Sequence, residues 1–290
     1  MIQFAGIKRN TEFSPNHRGN DHAIFTLTAD ELIKKGCRVN VYSEDEFMAM
    51  DTVPEDCIFT MARNKQTVKK LQLAEQMGKY VINGGAGIEN CYRINMTHGL
   101  VNAGIPYPKS LIVETENIKA DQFAALKGSS YWIKRGDFHA IHKEDVSFAR
   151  NINHALDILK EYHLRGIAEA VISEHLHGDL VKFYGVRGTD FFYWFYPVEF
   201  NHSKFDAEAI NGASNYYSFK ENDLKNFGTK AAEALGIYIY GGDAIIAENG
   251  TMQFIDLNDW PSFAPCRDEA AKHIAQCIYQ QAKLFLQTVQ

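Results

Sequence analysis

Residues 241–263 read GGDAIIAENGTMQFIDLNDWPSF. Two apolar runs, Asp243–Ala247 and Met252–Asn258, flank Glu248-Asn249-Gly250, a turn-forming triplet, so the segment is expected to be a β-hairpin. Side chains alternate along a strand. Strict alternation therefore sends Gln253, Ile255 and Leu257 one way and Met252, Phe254, Asp256 and Asn258 the other. The turn would bring Asp243 beside Asp256. Two carboxylates and an amide on one face are oxygen ligands suited to Mg2+. A solvent-facing acid and a turn-forming Asn explain Asp256 and Asn258 taken alone equally well, so the reading depends on what lies upstream.

Upstream, Ile167–Val186 reads IAEAVISEHLHGDLVKFYGV. One strand leads through Glu174-His175-Leu176 to Gly178, and a second carries Lys182 on the same face as Leu180 and Tyr184. A cation in such apolar surroundings needs an anionic partner, and phosphate would serve. Exposed backbone at the Glu174–Leu176 hinge can offer amide and carbonyl groups to an adenine edge. Further back, Ser130–His142 reads SYWIKRGDFHAIH. Here a strand delivers Lys134 and Arg135 to Gly136 and a polar loop, an arrangement suited to phosphate. The loop 136–142 is expected to be a mobile lid that orders over phosphates. No GxxxxGK[ST] occurs, which excludes a Walker-type site.

The first ninety residues alternate short apolar runs with helical patterns. Strands are expected at Ile2–Ile7, Arg38–Tyr42, Cys57–Met61 and Tyr80–Ile82, and helices at Asp21–Lys35 and Gln66–Met77. This is the signature of a small parallel α/β sheet. The polar connection Lys8–Asp21 follows the first strand, where open α/β sheets hold ligands. Helices are further expected at Ile88–Ala103, Val146–Tyr162 and Asp268–Thr288. The aromatic run 191–196, FFYWFY, is expected to be a strand packed on both sides. The segments Asn16–His22 and Asp206–Lys220 could line an acceptor site or simply connect elements.

These motifs, in this order, resemble the ATP-grasp superfamily over roughly residues 80–265. RINMTHGLVNAGIPYP is similar to the segment before the first ATP lobe, and YWIKRGDFHA to the strand with an ATP-binding lysine and its phosphate-covering loop. ISEHLHGDLVKFYGV resembles the adenine hinge and the phosphate-proximal cation. GGDAII and FIDLNDWPSF resemble the metal-binding end. The resemblance implies an α/β ATP-grasp fold: an N-terminal lobe at 1–92, a first ATP lobe at 93–176 and a second at 177–290. It further implies Mg-ATP as the cofactor. Arg93, Lys134, Gly136, His139, Glu174, His175, Leu176 and Lys182 would contact the nucleotide. Asp243, Asp256 and Asn258 would hold Mg2+, and Lys182 and Arg187 would act at the reacting phosphate. Arg93 stands where the family usually has Lys; it keeps the charge and can meet phosphate bidentately.

The implied reaction is an ATP-dependent ligation, in which a small-molecule carboxylate is activated as an acyl phosphate for an amine, a thiol or a peptide. The alternatives are a kinase of a small polyol or inositol phosphate and a non-catalytic nucleotide-binding protein. A zinc site at His139, His142, His175 and His177 lacks a third ligand at suitable spacing. The 290 residues, 46% of them apolar and 23% charged, are ordinary globular composition. A net charge of −6 gives no nucleic-acid footprint. Five scattered cysteines without a CxxC, and an N-terminus that reaches charge at Lys8, point to a reduced, cytoplasmic chain without a signal peptide or membrane span. Association as a homodimer is left open.

Overall fold

The computed structural model describes residues 1–13, 18–197, 210 and 212–289. Parts of the segments 16–22 and 206–220 therefore lie outside the described residues. The N-terminal lobe alternates strand and helix: β1 (Gln3–Lys8), α1 (Arg18–Lys34), β2 (Arg38–Ser43), α2 (Glu44–Ala49), β3 (Cys57–Thr60), α3 (Lys65–Gln76) and β4 (Tyr80–Ile82). Its sheet is parallel in the order β2-β1-β3-β4, as the alternation predicts. Helix α2 is an addition to the expected elements. Its signal was nevertheless present, since Ser43 and Glu46 form a capping box at the helix start.

Two antiparallel sheets follow. One has the order β5-β8-β6-β7, from β5 (Ser110–Glu114), β6 (Tyr131–Arg135), β7 (Val146–Ala149) and β8 (Glu169–Glu174). The other has the order β10-β9-β11-β12, from β9 (Asp179–Val186), β10 (Phe192–Phe195), β11 (Ile239–Ile246) and β12 (Met252–Asp259). The remaining helices are α4 (Gly85–Asn90), α5 (Arg93–Asn102), α6 (Ile152–Leu164), α7 (Glu221–Leu235) and α8 (Arg267–Val289). No described helix is long and apolar enough to cross a membrane.

Two expected helices are corrected. Ile88–Ala103 divides into α4 and α5, because Tyr92 takes an extended conformation and starts a new helix at Arg93. That break turns Arg93 toward β12. The expected helix Val146–Tyr162 begins only at Ile152, where the Asn151 side chain caps it by accepting from the His154 amide. Residues 146–149 instead pair with β6, where Phe148 packs on Trp132. The aromatic run behaves as expected. Phe191, Tyr193 and Phe195 face one core, while Phe192, Trp194 and Tyr196 face another.

Helix α8, grouped with the third lobe on sequence, packs along α1 of the first. Ile274 and Ile278 share a core with Phe25 and Leu32, and that core continues into Tyr184 and Ile239. The helix thereby ties the N-terminal lobe to the β9–β12 sheet.

Candidate active site

The hairpin of β11 and β12 sets the geometry. Asp243 lies directly opposite Asp256, and Gly241 opposite Asn258. Between Asp243 and Ala244 the register shifts, because Ala244 pairs with Phe254 and Ile255 is the extra residue of a bulge. This corrects the strict alternation. Met252, Phe254 and Leu257 are all buried in one core. Asp256, Asn258 and Ile255 line the cleft on the other side. The bulge thus separates the metal-type ligands from the apolar residues with which alternation had grouped them. Two glycines let the strands close up beside it. A Cβ on Gly242 would lie 2.5 Å from the Asp256 carbonyl oxygen, and one on Gly241 2.6 Å from the Tyr184 ring.

Three cations reach the same place from three elements. On β9, Lys182 lies opposite Asp243, and its Nζ is 3.2 Å from both carboxylate oxygens. At the start of α5, Arg93 donates from Nη1 to Asp256 at 2.9 Å. At the end of β6, buried Lys134 donates from Nζ to the carbonyl of Ile255, the bulged residue, at 2.9 Å. Burial works against ionised Asp256, but Arg93 and Lys134, with Asn258 beside it, outweigh this and hold its carboxyl down at about 2. Burial likewise depresses Lys134, and Arg93 adds to the effect. Asp256 and Asp243 offset only part of it, leaving the ammonium with a pKa of about 7. Burial opposes the charge on Arg93, but Asp256, Tyr107 and Asp243 together raise its pKa.

These residues line a cleft of about 280 Å³, close to the size of a small-molecule site. Its apolar end is walled by Trp132, Val146, Leu176, Leu180 and Ile245, residues of the two antiparallel sheets and the turn between β8 and β9. Glu174 and Leu176 of the expected hinge line this end. His175 turns away. Its Nδ1 accepts from Trp132 Nε1 at 3.1 Å, and its ring packs on Phe148 and His177. Burial, with His177, holds its pKa down. Among the described residues, no group of three or more His, Cys, Asp or Glu is arranged to hold a metal ion. Asp243, Asp256 and Asn258 are instead two acids and an amide, oxygen donors of the kind that suit a hard cation.

Gly136 is fixed between two elements. Its amide donates to the Glu169 carbonyl at 2.8 Å, and its carbonyl accepts from the Ile94 amide at 3.1 Å. The loop that follows, expected from sequence to be a mobile polar lid, is instead packed inward. Phe138 and His139 are buried, with the Phe138 ring 5.0 Å from Tyr92 and 5.8 Å from Phe13. Asp145 anchors the far side of the loop by accepting the amides of Ile141 and His142. His139 lines the cleft, with Nε2 3.4 Å from Asp259 Oδ1. Arg187 lies apart from all this. It stacks over Tyr238 at 4.4 Å and donates to the Ile237 carbonyl, outside the cleft lining.

The end opposite the apolar wall is lined by residues that the sequence reading did not single out, Arg9, Asp21 and Arg63. Only the connection Lys8–Asp21 had been marked, from its place after a parallel strand. Arg63 carried no comparable motif.

No family model and no curated protein matches this sequence. The likeness to known proteins is three-dimensional. A RimK domain ATP-grasp protein from Sphaerobacter thermophilus superposes with a TM-score of 0.68 at 13% identity, covering 95% of this chain and 99% of that one. D-alanine–D-alanine ligase from Bacillus anthracis, complexed with ATP, gives a TM-score of 0.68 at 12% identity, over 99% of this chain and 100% of that one. The ATP-grasp ligase PsnB, complexed with a minimal precursor, gives 0.62 at 14% identity, over 97% and 99%. The chain therefore has the ATP-grasp fold, as the sequence resemblance implied.

Proposed function

We propose that this protein is an ATP-dependent ligase that activates a carboxylate as an acyl phosphate for attack by an amine or a thiol. One observation carries the proposal. Asp243 stands opposite both Asp256 and Lys182 in one sheet, while Arg93 and Lys134 reach the same spot from other elements. Mere adenine binding does not require two carboxylates, an amide and three cations at one point. Phosphoryl transfer does, because its transition state is stabilised by positioning and charge neutralisation.

In this reading Asp243, Asp256 and Asn258 hold Mg2+, which when bound neutralises charge on the phosphates. Arg93 and Lys182 leave their carboxylate partners for phosphate oxygens. Lys134 takes up a proton as an anion replaces its carbonyl contact. Leu176 packs against the adenine, and the backbone of 174–176 meets its edge. His139 and Phe138 close the phosphate end against water. The co-substrate carboxylate takes the terminal phosphoryl group of ATP, and the amine or thiol then displaces phosphate from the acyl carbon. In the same reading residues 93–176 form the nucleotide lobe, 177–290 the metal-bearing lobe and 1–92 the lobe facing the co-substrate.

The kinase reading calls for a basic cluster beyond the phosphates. Arg9 and Arg63 stand at that end, but each faces an acid, Asp21 and Asp259. The test is ADP release with pooled carboxylates and pooled amines or thiols. A ligase needs one of each, whereas a kinase releases ADP with a polyol alone. Absence of any melting-temperature rise with millimolar Mg-ATP or Mg-ADP would overturn both readings.

A further inference from the structure

We propose that Tyr107 is a positioning residue for nucleotide binding: its hydroxyl oxygen holds the Arg93 guanidinium at the cleft when Asp256 exchanges that guanidinium for Mg2+. The contact follows from geometry, and its role in binding rests on the reading above. Arg93 and Thr97 are one turn apart on α5, so their side chains share a face. Tyr107 arrives from the connection between α5 and β5, and three features make that connection stiff. Gly104 takes a left-handed conformation (φ 66°) and lets the Ile105 amide return to the Leu100 carbonyl at 3.0 Å, closing the helix. The Pro106 carbonyl accepts from the Phe254 amide at 2.7 Å, which pins the connection to β12 one residue before the bulge. Pro106 and Pro108 flank Tyr107, and a residue before proline is confined to extended backbone.

The protons can be followed from group to group. Thr97 Oγ1 donates to the Arg93 carbonyl at 2.8 Å, so its one proton is committed. Its contact with the Tyr107 hydroxyl, at a long 3.4 Å, therefore has the phenol as donor and the threonine oxygen as acceptor. With its proton turned to Thr97, the Tyr107 oxygen presents its lone pairs to a donor, and the Arg93 guanidinium is the donor beside it. Burial pushes the hydroxyl above its ordinary pKa, while Arg93 and Thr97 pull it the other way. At neutral pH it is thus a neutral dipole and not a counter-ion.

Arg93 has five donors. It is 5% exposed and directs Nη1 and Nη2 at the Asp256 carboxylate, at 2.9 and 3.4 Å. Once Asp256 turns to Mg2+, those donors turn to phosphate, and Tyr107 is the partner that stays. Tyr107 itself does not line the cleft, so it acts through Arg93. A lysine, usual in the family at this place, has no second arm to be held while the first meets phosphate. The arginine at 93 and the tyrosine at 107 form one device.

The experiment is a double-mutant cycle on the whole protein, read by melting temperature and by ADP titration with Mg2+ or with EDTA. Tyr107→Phe removes only the hydroxyl and should lower the melting temperature by about 2–3 °C. In an Arg93→Lys background the same change should cost under about 1 °C. Mg-ADP should bind Tyr107→Phe about five- to tenfold more weakly, and metal-free ADP within about twofold of the parent, because Asp256 still steadies Arg93 there. A merely structural role would weaken both equally. Thr97→Ser, which keeps the acceptor, should bind Mg-ADP as the parent does, and Thr97→Val should reproduce the Mg2+-dependent loss. The proposal is overturned if Tyr107→Phe has the same effect in the Arg93→Lys background, if it leaves Mg-ADP affinity unchanged, or if it weakens metal-free ADP to the same degree. A parent that bound no Mg-ADP at all would instead overturn the ligase reading, and this role with it.

Discussion

Two ion pairs on the wall of one cleft use the same chemistry and are built in opposite ways. Arg9 and Asp21, with side chains 4% and 11% exposed, meet at 2.9 Å, and the guanidinium also holds two backbone carbonyls. Lys182 and Asp243, 16% and 26% exposed, meet at 3.2 Å across neighbouring strands. The first pair is closed on itself and fixes the N-terminal lobe against residue 260. The second, like Arg93 with Asp256, keeps its charges matched while leaving each member open to the cleft. Such a pair can exchange its partner for a ligand at little cost in desolvation, because the site is already polar. A closed buried pair is a scaffold, and breaking it strands a charge.

The largest effect expected is on catalysis. Replacing Asp256 with Asn should lower ATP-dependent turnover by about a hundredfold or more, since charge neutralisation at the phosphates is lost. It should also cost about 2 kcal/mol of stability, because Arg93 is left without its counter-charge. Steady-state ADP release and urea titration measure the two separately. Full activity in this variant would move the metal site elsewhere.

Asp21→Asn should do the reverse. Unfolding free energy should drop by about 3 kcal/mol, while the folded fraction still binds nucleotide normally. If the variant is as stable as the parent, the distinction between closed and open pairs fails.

Lys134→Met sharpens the contrast further. Its ammonium is held at about 7, far below its ordinary value. Between pH 7 and 10 the unfolded chain therefore binds more protons at this group than the folded one does. Stability from this group thus rises with pH across that window and is lost as pH falls toward 7. The Met variant should lack that slope and be more stable than the parent at pH 7–8, yet bind ADP about tenfold more weakly or worse. In the parent, ADP binding should take up a proton above pH 7, so affinity should fall as pH rises, by at most about tenfold per unit. Calorimetry in buffers of different ionisation enthalpy reads the proton directly.

The smallest effect is reserved for Arg187. Stacked on Tyr238 and bonded to a carbonyl outside the cleft, it should cost about 1 kcal/mol on replacement by Gln. Nucleotide affinity should stay within twofold in a thermal-shift titration. A large loss of affinity would return Arg187 to the site.

Much of this was readable in the sequence, where the signal is local. Strand and helix periods gave the parallel lobe, and the Asn249-Gly250 turn gave the pairing of Asp243 with Asp256. What escaped was set by distant partners. The break between α4 and α5 follows from contacts of Tyr92 with Phe138 and of Arg93 with Asp256, which helical periodicity does not register. Residues 146–149 have a helical pattern but pair with β6, because that edge offers an unpaired strand.

On its own, then, the sequence determined the parallel lobe, the β11–β12 turn and a set of charged and amide side chains, Lys134, Lys182, Asp243, Asp256 and Asn258, that line one cleft. The tertiary structure alone decided which way they point and what faces them. The bulge at Ile255 sends Asp256 and Asn258 into the cleft, and buried Glu44, by accepting the amides of Asn10 and Arg63, brings Arg9 and Arg63 together from loops more than fifty residues apart. The reason is physical. Periodicity and propensity act over a few neighbouring residues, whereas a bulge or a buried carboxylate is fixed by hydrogen bonds to chain segments that come near only after folding.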